Sequence, residues 1–498
     1  MRRQASASQR LLSKLHPNSV IALKQALMVT ALIAVTWIIS MAHLAIVARP
    51  LFVLASIILS IIYIRRSPWQ YLTFSLWIWT LAPFMRRICD YYSAPVGFNI
   101  VLIAPNIISL IMLPSLLTSR TLLKRKETAV GLLLLGPSIY GLCVSFVISD
   151  IFPGMVGAID WITPLIYFWF IIDNAETIDE LKPYFDVFIP LNLAIISLYG
   201  IYQNYFPPAW DLKYWNFLKG EEEKFTTIPI FSTLNFPGIC ATWVALLILL
   251  SLGFGGGIAF FVLPTALLML VMTEVRSAVG ALVFGLILAM TFGRGRLVQA
   301  LLGIFAALFV FFGLFASLDQ DLATRLTRRF ASVGDLEHDG SANARKDLIK
   351  NTPNIIANIP FGMGTGSVGK GARAEAGKKF VDMDSGLVAP FIVFGWFFGA
   401  FYGFGLAAIV ARCAIAAKRS GSQTALVLSI GAIASAATSL FTMNVGIQGL
   451  MLWMCIAYAI AIEVQEHNKR IGASSLLRDP PNWRTRERLI LSADRKIL

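Results

Sequence analysis

Charge is scarce in this sequence: Asp, Glu, Lys and Arg supply 14% of its 498 residues, against 57% that are apolar. That scarcity excludes a soluble globular chain, because no soluble core could hide so much apolar surface, whereas a bilayer solvates it directly. Histidine is scarcer still. The four histidines, His16, His43, His338 and His467, lie far apart in sequence, which argues against a histidine-based metal centre. The five cysteines, Cys89, Cys143, Cys240, Cys413 and Cys455, are scattered, mostly inside apolar runs and without a CxxC pair. They read as small core residues, so neither a disulfide framework nor a zinc site is indicated. Nucleotide-binding features are also missing. The run Gly362-x-Gly364-x-Gly366 follows no strand and precedes no Lys-Ser/Thr pair in P-loop spacing. No stretch on the expected cytoplasmic side is long enough for a nucleotide-sugar domain. No cofactor and no nucleic-acid partner are therefore expected, and if the chain is an enzyme it must draw an activated donor from the membrane.

What is present is a succession of apolar runs. Backbone groups in lipid must be satisfied within the segment, so runs of this length are read as helices. The spans fall near residues 23–41, 45–64, 71–85, 100–117, 129–148, 156–172, 185–205, 238–252, 258–273, 277–292, 297–318, 386–409, 426–441 and 445–462. The fold class expected is an all-α polytopic membrane bundle of about fourteen transmembrane helices with a helical periplasmic loop. Several runs are short for a bilayer, and 71–85 is short enough to lie at the interface. The basic N-terminus, with Arg2, Arg3, Arg10 and Lys14, leads into a span-length run without a small-residue cleavage site, and reads as a retained first span.

Lys and Arg in the short loops set the orientation. With the N-terminus inside, alternate loops carry Arg65 and Arg66; Arg120, Lys124, Arg125 and Lys126; Arg294 and Arg296; and Arg412, Lys418 and Arg419. The basic tail also falls inside, which puts both termini in the cytoplasm; only the acidic loop 173–183 dissents. The chain divides into a basic N-terminus (1–22), a first bundle (23–318) with an outer excursion at 206–237, a large periplasmic loop (319–385), three further spans (386–464) and a basic tail (465–498). Within the large loop, residues 342–358 have a loosely helical pattern that Pro360 ends, and Gly362, Gly364 and Gly366 give a flexible turn. The spans themselves look nearly free of charge.

Arg276 is the sharpest functional candidate. It lies in Met272-Thr273-Glu274-Val275-Arg276-Ser277, a break between two apolar helices that the topology places at the outer face. A snorkelling arginine is one reading. Against it, positive charge is disfavoured on that face, and an ionisable residue at membrane depth is a functional candidate by default. Arg345 opens the loop helix with Lys346 beside it, where a solvated helix face is the plainer reading. Arg325, Arg328 and Arg329 form a basic patch suited either to anionic headgroups or to substrate. Asp382 and Asp384 stand just before a long span, where a carboxylate can cap the helix or take a proton from a sugar hydroxyl. Arg86, Arg87 and Asp90 also fall outside and are weaker candidates.

Together these segments resemble the O-antigen polymerase and ligase superfamily, which includes exopolysaccharide polymerases. Residues 273–277 with the helix that follows resemble its threonine-serine-arginine helix start. Asn343-Ala344-Arg345 through Pro360-Phe361-Gly362-Met363-Gly364 is similar to its outer-loop arginine helix and proline-glycine-x-glycine turn. Asp384-Ser385-Gly386 through Gly395 to Gly399 is similar to its loop exit, and Asn235-Phe236-Pro237-Gly238 more weakly to the start of an earlier span. Two positions depart: Val275 stands where many members have Ser, and Asp384 stands where ligase-like members often have His. The second departure argues against a histidine mechanism and favours a polymerase over a ligase.

The resemblance implies a metal-independent, inverting glycosyl transfer between sugar chains, with at least the donor carried on undecaprenyl diphosphate at the periplasmic face of the inner membrane. Arg276 and Arg345 would counter the charge of the departing diphosphate and Asp384 would act as base. Asp382, Arg325, Arg329, Lys346, Gly364 and Arg86 would contact substrate. Membrane lipids, a chain-length regulator and export machinery are the further partners it suggests. A ligase acting on a lipid or protein acceptor, and a lipid-linked oligosaccharide flippase, are the alternatives.

Overall fold

The structure is a computed structural model that describes residues 16–93, 99–119, 125–148, 151–219, 228–293, 343, 350–354, 356–369 and 385–478. Within them the chain forms helices and no strand. In order, the α-helices are α1 (Pro17–Met41), α2 (Ala45–Arg66), α3 (Pro68–Tyr91), α4 (Ala104–Leu110), α5 (Leu113–Thr118), α6 (Lys126–Ile148), α7 (Ile151–Asp173), α8 (Lys182–Tyr205), α9 (Ala209–Lys219), α10 (Pro237–Ser251), α11 (Gly256–Met272), α12 (Arg276–Phe292), α13 (Ala389–Ser420), α14 (Gln423–Ala437) and α15 (Gly446–Arg478). Eight helical stretches among them are long and apolar enough to cross a membrane, and shorter apolar helices accompany them. The protein is thus an integral membrane helix bundle. The expected span at 297–318 lies outside the described residues.

Helix ends follow local chemistry. Ser67 is extended and accepts a hydrogen bond from the Trp69 N–H, while Pro68 takes the first turn, where its missing N–H costs nothing. The single span expected at 100–117 is instead broken into a 3-10 turn (Ile100–Leu102), α4 and α5. Pro105 and Pro114 each sit in the first turn of a new helix, where the missing N–H breaks no hydrogen bond and the ring meets no preceding turn. Interior prolines occur elsewhere (Pro50, Pro83, Pro137, Pro164, Pro190 and Pro264). Neighbouring helices in a bundle can accommodate the backbone groups they free.

The stretch 71–85, short enough for an interface, is found in the interior of the bundle. It extends into the 24-residue α3, buried around nearly its whole circumference. α7 and α15 pack along each other as a second interior layer, with residues from Leu450 to Ile462 all buried. Polar side chains tie these layers. Tyr167 of α7 donates to Ser75 Oγ at 2.8 Å and accepts from Trp79 Nε1 at 3.1 Å. Asn192 of α8 donates to Thr80 at 3.0 Å and accepts from Trp243 of α10 at 3.0 Å. Such bonds hold transmembrane helices together where apolar burial gives little preference for helix over lipid. Outward-facing apolar residues such as Ile46, Val147, Phe261 and Phe404 stay exposed, as lipid contact requires.

The acidic stretch that dissented from the charge rule folds as a 3-10 segment (Ala175–Leu181) at the end of the bundle that holds the basic loops. Its carboxylates meet cations there: Asp179 pairs with Lys469 at 2.9 Å and Glu176 with Arg125 at 3.5 Å. Arg412 joins Glu463 at 2.5 Å and Glu127 at 3.4 Å.

Candidate functional site

The break between α11 and α12 is made by three residues. Thr273 Oγ1 donates to the Leu270 carbonyl at 2.6 Å and closes the last turn of α11. Glu274 takes a left-handed conformation, φ +57°, and Val275 is extended. A non-glycine residue in the left-handed region is strained, and such strain concentrates at functional turns. Arg276 is then the first residue of α12, half-buried. Val275 offers no side-chain oxygen to cap the helix, and its first turn has no acidic residue. An arginine at the positive end of a helix dipole is unfavourable for the helix itself. The N–H groups of Ala278 and Val279 bond the Val275 carbonyl at 3.1 and 3.3 Å, so the cation this turn presents is the Arg276 guanidinium, two residues after the carboxylate of Glu274.

α10 and α14 pack along α12. Between these helices and α15 runs a crevice whose apolar walls include Leu246, Leu249, Leu282 and Met451. Thr242, Ser435, Thr438 and Gln448 give it polar groups, with Gln448 Nε2 donating to Thr242 Oγ1 at 3.0 Å. The 3-10 turn Thr438–Leu440, which follows α14, also touches α12. Against that turn lies the loop exit. A Cβ on Gly386 would come within 2.4 Å of the Thr442 carbonyl oxygen and 3.0 Å of that of Ser439, so backbone meets backbone there. Ser385 beside it is buried. Thus the segment after Asp384, the polar turn after α14 and the helix that starts with Arg276 meet at one end of the bundle. Asp384 itself, Asp382, Arg345, Lys346, Arg325 and Arg329 lie outside the described residues, so their distances to Arg276 are not described.

The glycine turn after the loop helix is described. Residues 350–354 and 356–358 are helical, as the sequence pattern predicts, and the chain after Pro360 inserts between α6, α7 and α13. α13 is kinked at Gly395, φ +74°. The inserted chain supplies hydrogen bonds beside the kink: Met363 N–H to the Ile392 carbonyl at 2.7 Å, Gly364 N–H to Val393 at 3.0 Å, and Trp396 N–H to Pro360 at 3.0 Å. Gly364, φ +82°, is buried against Ser145, whose Oγ would lie 2.3 Å from an added Cβ. The glycines therefore allow backbones to meet, and the turn anchors this part of the 319–385 stretch in the bundle.

Arg86 is placed apart from this centre, in the last turns of α3, paired with Asp90 at 3.1 Å. Around it the structure gathers groups the sequence reading passed over: Arg49 of α2, 2.8 Å from Asp90, and Asp211 of α9, 2.7 Å from Arg87. A buried carboxylate in α7, Asp160, accepts a bond from Asn106 at 3.1 Å. Nearly charge-free spans were expected, and Arg49 and Asp160 correct that. Each is an ionisable residue inside an apolar run, a signal visible in the sequence.

Residues 258–413 match a family described as O-antigen ligase. The matched stretch takes in Arg276, residues 319–385 and the kinked half of α13. No curated protein matches the chain.

Proposed function

Through residues 258–413 the chain belongs to the O-antigen polymerase and ligase superfamily, and from that premise we propose that it polymerises undecaprenyl-diphosphate-linked oligosaccharide repeat units into exopolysaccharide or O-antigen. The observation that carries the reading is Arg276 at the start of α12, inside the matched stretch and on the helix that lines the crevice through Ala281 and Leu282. In this proposal the bundle sits in the bacterial inner membrane with both termini cytoplasmic, and the 319–385 loop is periplasmic.

The chemistry is a displacement at the anomeric carbon of the donor. An acceptor hydroxyl forms the new C–O bond, the bond from that carbon to the diphosphate oxygen breaks, and the electron pair leaves with undecaprenyl diphosphate. The hydroxyl proton passes to Asp384, with Asp382 the second candidate. Negative charge grows on the leaving group as the bond lengthens, and the guanidinium groups of Arg276 and Arg345 face it. Their planar forks match phosphate oxygens two at a time, which an ammonium cannot do. Arg325, Arg329 and Lys346 extend the positive surface along the glycan, and attack on the face opposite the leaving group inverts the linkage.

A ligase is the second reading, favoured by the description of the matched family. Deletion followed by sizing of the lipid-linked glycan separates the two. Single repeat units accumulating on the outer-leaflet carrier are the expected result. Full-length chains left on the carrier would make the protein a ligase, and repeat units held on the cytoplasmic leaflet would make it a flippase.

A further inference from the structure

Three non-glycine residues among those described hold a positive φ: His43, Ser232 and Glu274. Histidine tolerates the left-handed region better than most side chains, and His43 stands exposed in the turn between α1 and α2. Ser232 is fixed by the fold, since its Oγ donates to the Ile196 carbonyl at 2.6 Å and its N–H to Gln203 Oε1 at 2.9 Å. Glu274, φ +57°, belongs to neither case. A long side chain on a left-handed backbone is costly where glycine would sit without strain.

The hydrogen bonds that build this turn come from the backbone and from Thr273. The Thr273 N–H donates to the Met269 carbonyl at 3.0 Å and the Glu274 N–H to that of Val271 at 3.0 Å. Thr273 Oγ1 donates to Leu270 and accepts from the Val275 N–H at 3.4 Å. The Val275 carbonyl then opens α12 by accepting from Ala278 and Val279. Glycine at position 274 would keep every one of these bonds. The backbone of the break therefore does not account for a carboxylate there.

Its neighbour in the chain gives it a consequence. Glu274 and Arg276 are both half-buried and one residue apart, so their Cα atoms are separated by no more than about 7 Å. That is shorter than the distance over which salt screens a charge. Any anion that Arg276 holds is thus repelled by the Glu274 carboxylate as well as attracted by the guanidinium. The repulsion grows with the charge of the anion.

We propose that Glu274 serves release of the leaving carrier, by keeping the diphosphate beside Arg276 from binding too tightly once it is free. The inference rests on the glycosyl-transfer reading, in which Arg276 faces the departing diphosphate. The donor diphosphate is esterified at both ends and carries two negative charges. When the anomeric C–O bond breaks, the oxygen keeps the electron pair, and the terminal phosphate so freed carries a third charge once fully ionised. Repulsion from Glu274 is therefore greatest for the product. Part of that charge is already present in the transition state, so the carboxylate slows the chemical step somewhat while it hastens release.

The test uses full-length protein in phosphatidylcholine nanodiscs and two probes, farnesyl diphosphate, with the charge of the product, and its terminal methyl ester, with the charge of the donor. Each ligand charge counts about threefold at this separation in water. Glu274→Gln should therefore tighten farnesyl diphosphate about thirtyfold and the methyl ester about tenfold, read by isothermal titration calorimetry. Glu274→Gly should give the same shifts and a higher unfolding temperature, because the strain is gone. With a labelled lipid-linked donor, Glu274→Gln should match or exceed the parent in a single turnover and fall behind it in steady state. Unchanged or weaker binding in both variants would overturn the proposal, as would equal tightening of the two probes. A lower unfolding temperature in Glu274→Gln with unchanged affinities would make the carboxylate a structural group and overturn it too. Arg276→Ala separates the two levels. If it weakens both probes while Glu274→Gln changes neither, only this inference falls; if it weakens neither, the diphosphate site at Arg276 is lost and this inference with it.

Discussion

Arg87 and Asp211 form an ion pair of 2.7 Å with neither side chain exposed to solvent. The pair joins α3 to α9, and both partners are saturated, since Asp211 also accepts from Tyr199 at 2.7 Å and Gln203 at 2.6 Å. Removing one member leaves a buried charge without its counter-charge, which typically costs roughly 3–5 kcal/mol, whereas replacing both by apolar groups of similar size costs much less. Arg87→Met alone is therefore expected to lower the unfolding temperature in detergent strongly, and Asp211→Leu likewise. The double variant should recover much of the loss. Thermal unfolding followed by tryptophan fluorescence measures all three, and an additive double variant would contradict the coupling.

The kink of α13 depends on glycine. Gly395 has φ +74°, and a Cβ there would approach the Pro360 carbonyl oxygen to 2.3 Å. Gly395→Ala should cost about 1–3 kcal/mol from backbone strain alone, and it should also push out the inserted 360–364 chain. Cysteines placed at Ser145 and Thr365, whose hydroxyls are 3.3 Å apart, should cross-link readily in the parent and poorly in the Gly395→Ala variant. Equal cross-linking in the two would mean that the inserted turn holds its place without the kink.

Much of this was legible in the sequence because one signal dominates it. A span is an apolar run, and lipid forces that run into a helix, so runs such as 258–273 and 277–292 appear almost unchanged as α11 and α12. The Thr273 to Arg276 break was readable for the same reason, since polar residues interrupt two such runs. What escaped was tertiary. Pro105 and Pro114 split a run that hydropathy alone treats as continuous. The partners of Arg87 are a carboxylate and carbonyls more than a hundred residues away, which no local pattern encodes. Glycines at 362 and 364 read as a flexible turn and are instead packed, because a close approach between backbones looks in sequence like a loop.

Arg276 is the residue on which the functional reading turns. Arg276→Ala should insert and fold, since its side chain is only half-buried, yet lose long-chain polysaccharide. Loss of one preorganised charge donor typically slows a reaction by roughly a hundredfold or more. Arg276→Lys should recover only part of the rate, because an ammonium lacks the planar fork. Arg345→Ala should behave alike. Glycan sizing by gel electrophoresis, normalised to membrane protein level, reads the outcome, and full-length polymer from either alanine variant would remove that arginine from the mechanism.

The carboxylates at the loop exit give a complementary test, since a base and a charge donor fail differently. Asp384→Asn keeps the size and polarity of the side chain and removes only its ability to take a proton. Donor binding should then survive while turnover falls by about 10²–10⁴-fold, the usual contribution of general base catalysis. If Asp384 instead caps the chain entering α13, Asn is a good cap as well and activity should persist. Asp382→Asn, tested beside it, should reduce activity less. Single-turnover transfer from a labelled lipid-linked donor, with binding measured separately, distinguishes the two roles. Full activity in Asp384→Asn with loss in Asp382→Asn would move the base two residues upstream, and full activity in both would remove the carboxylates from the chemistry.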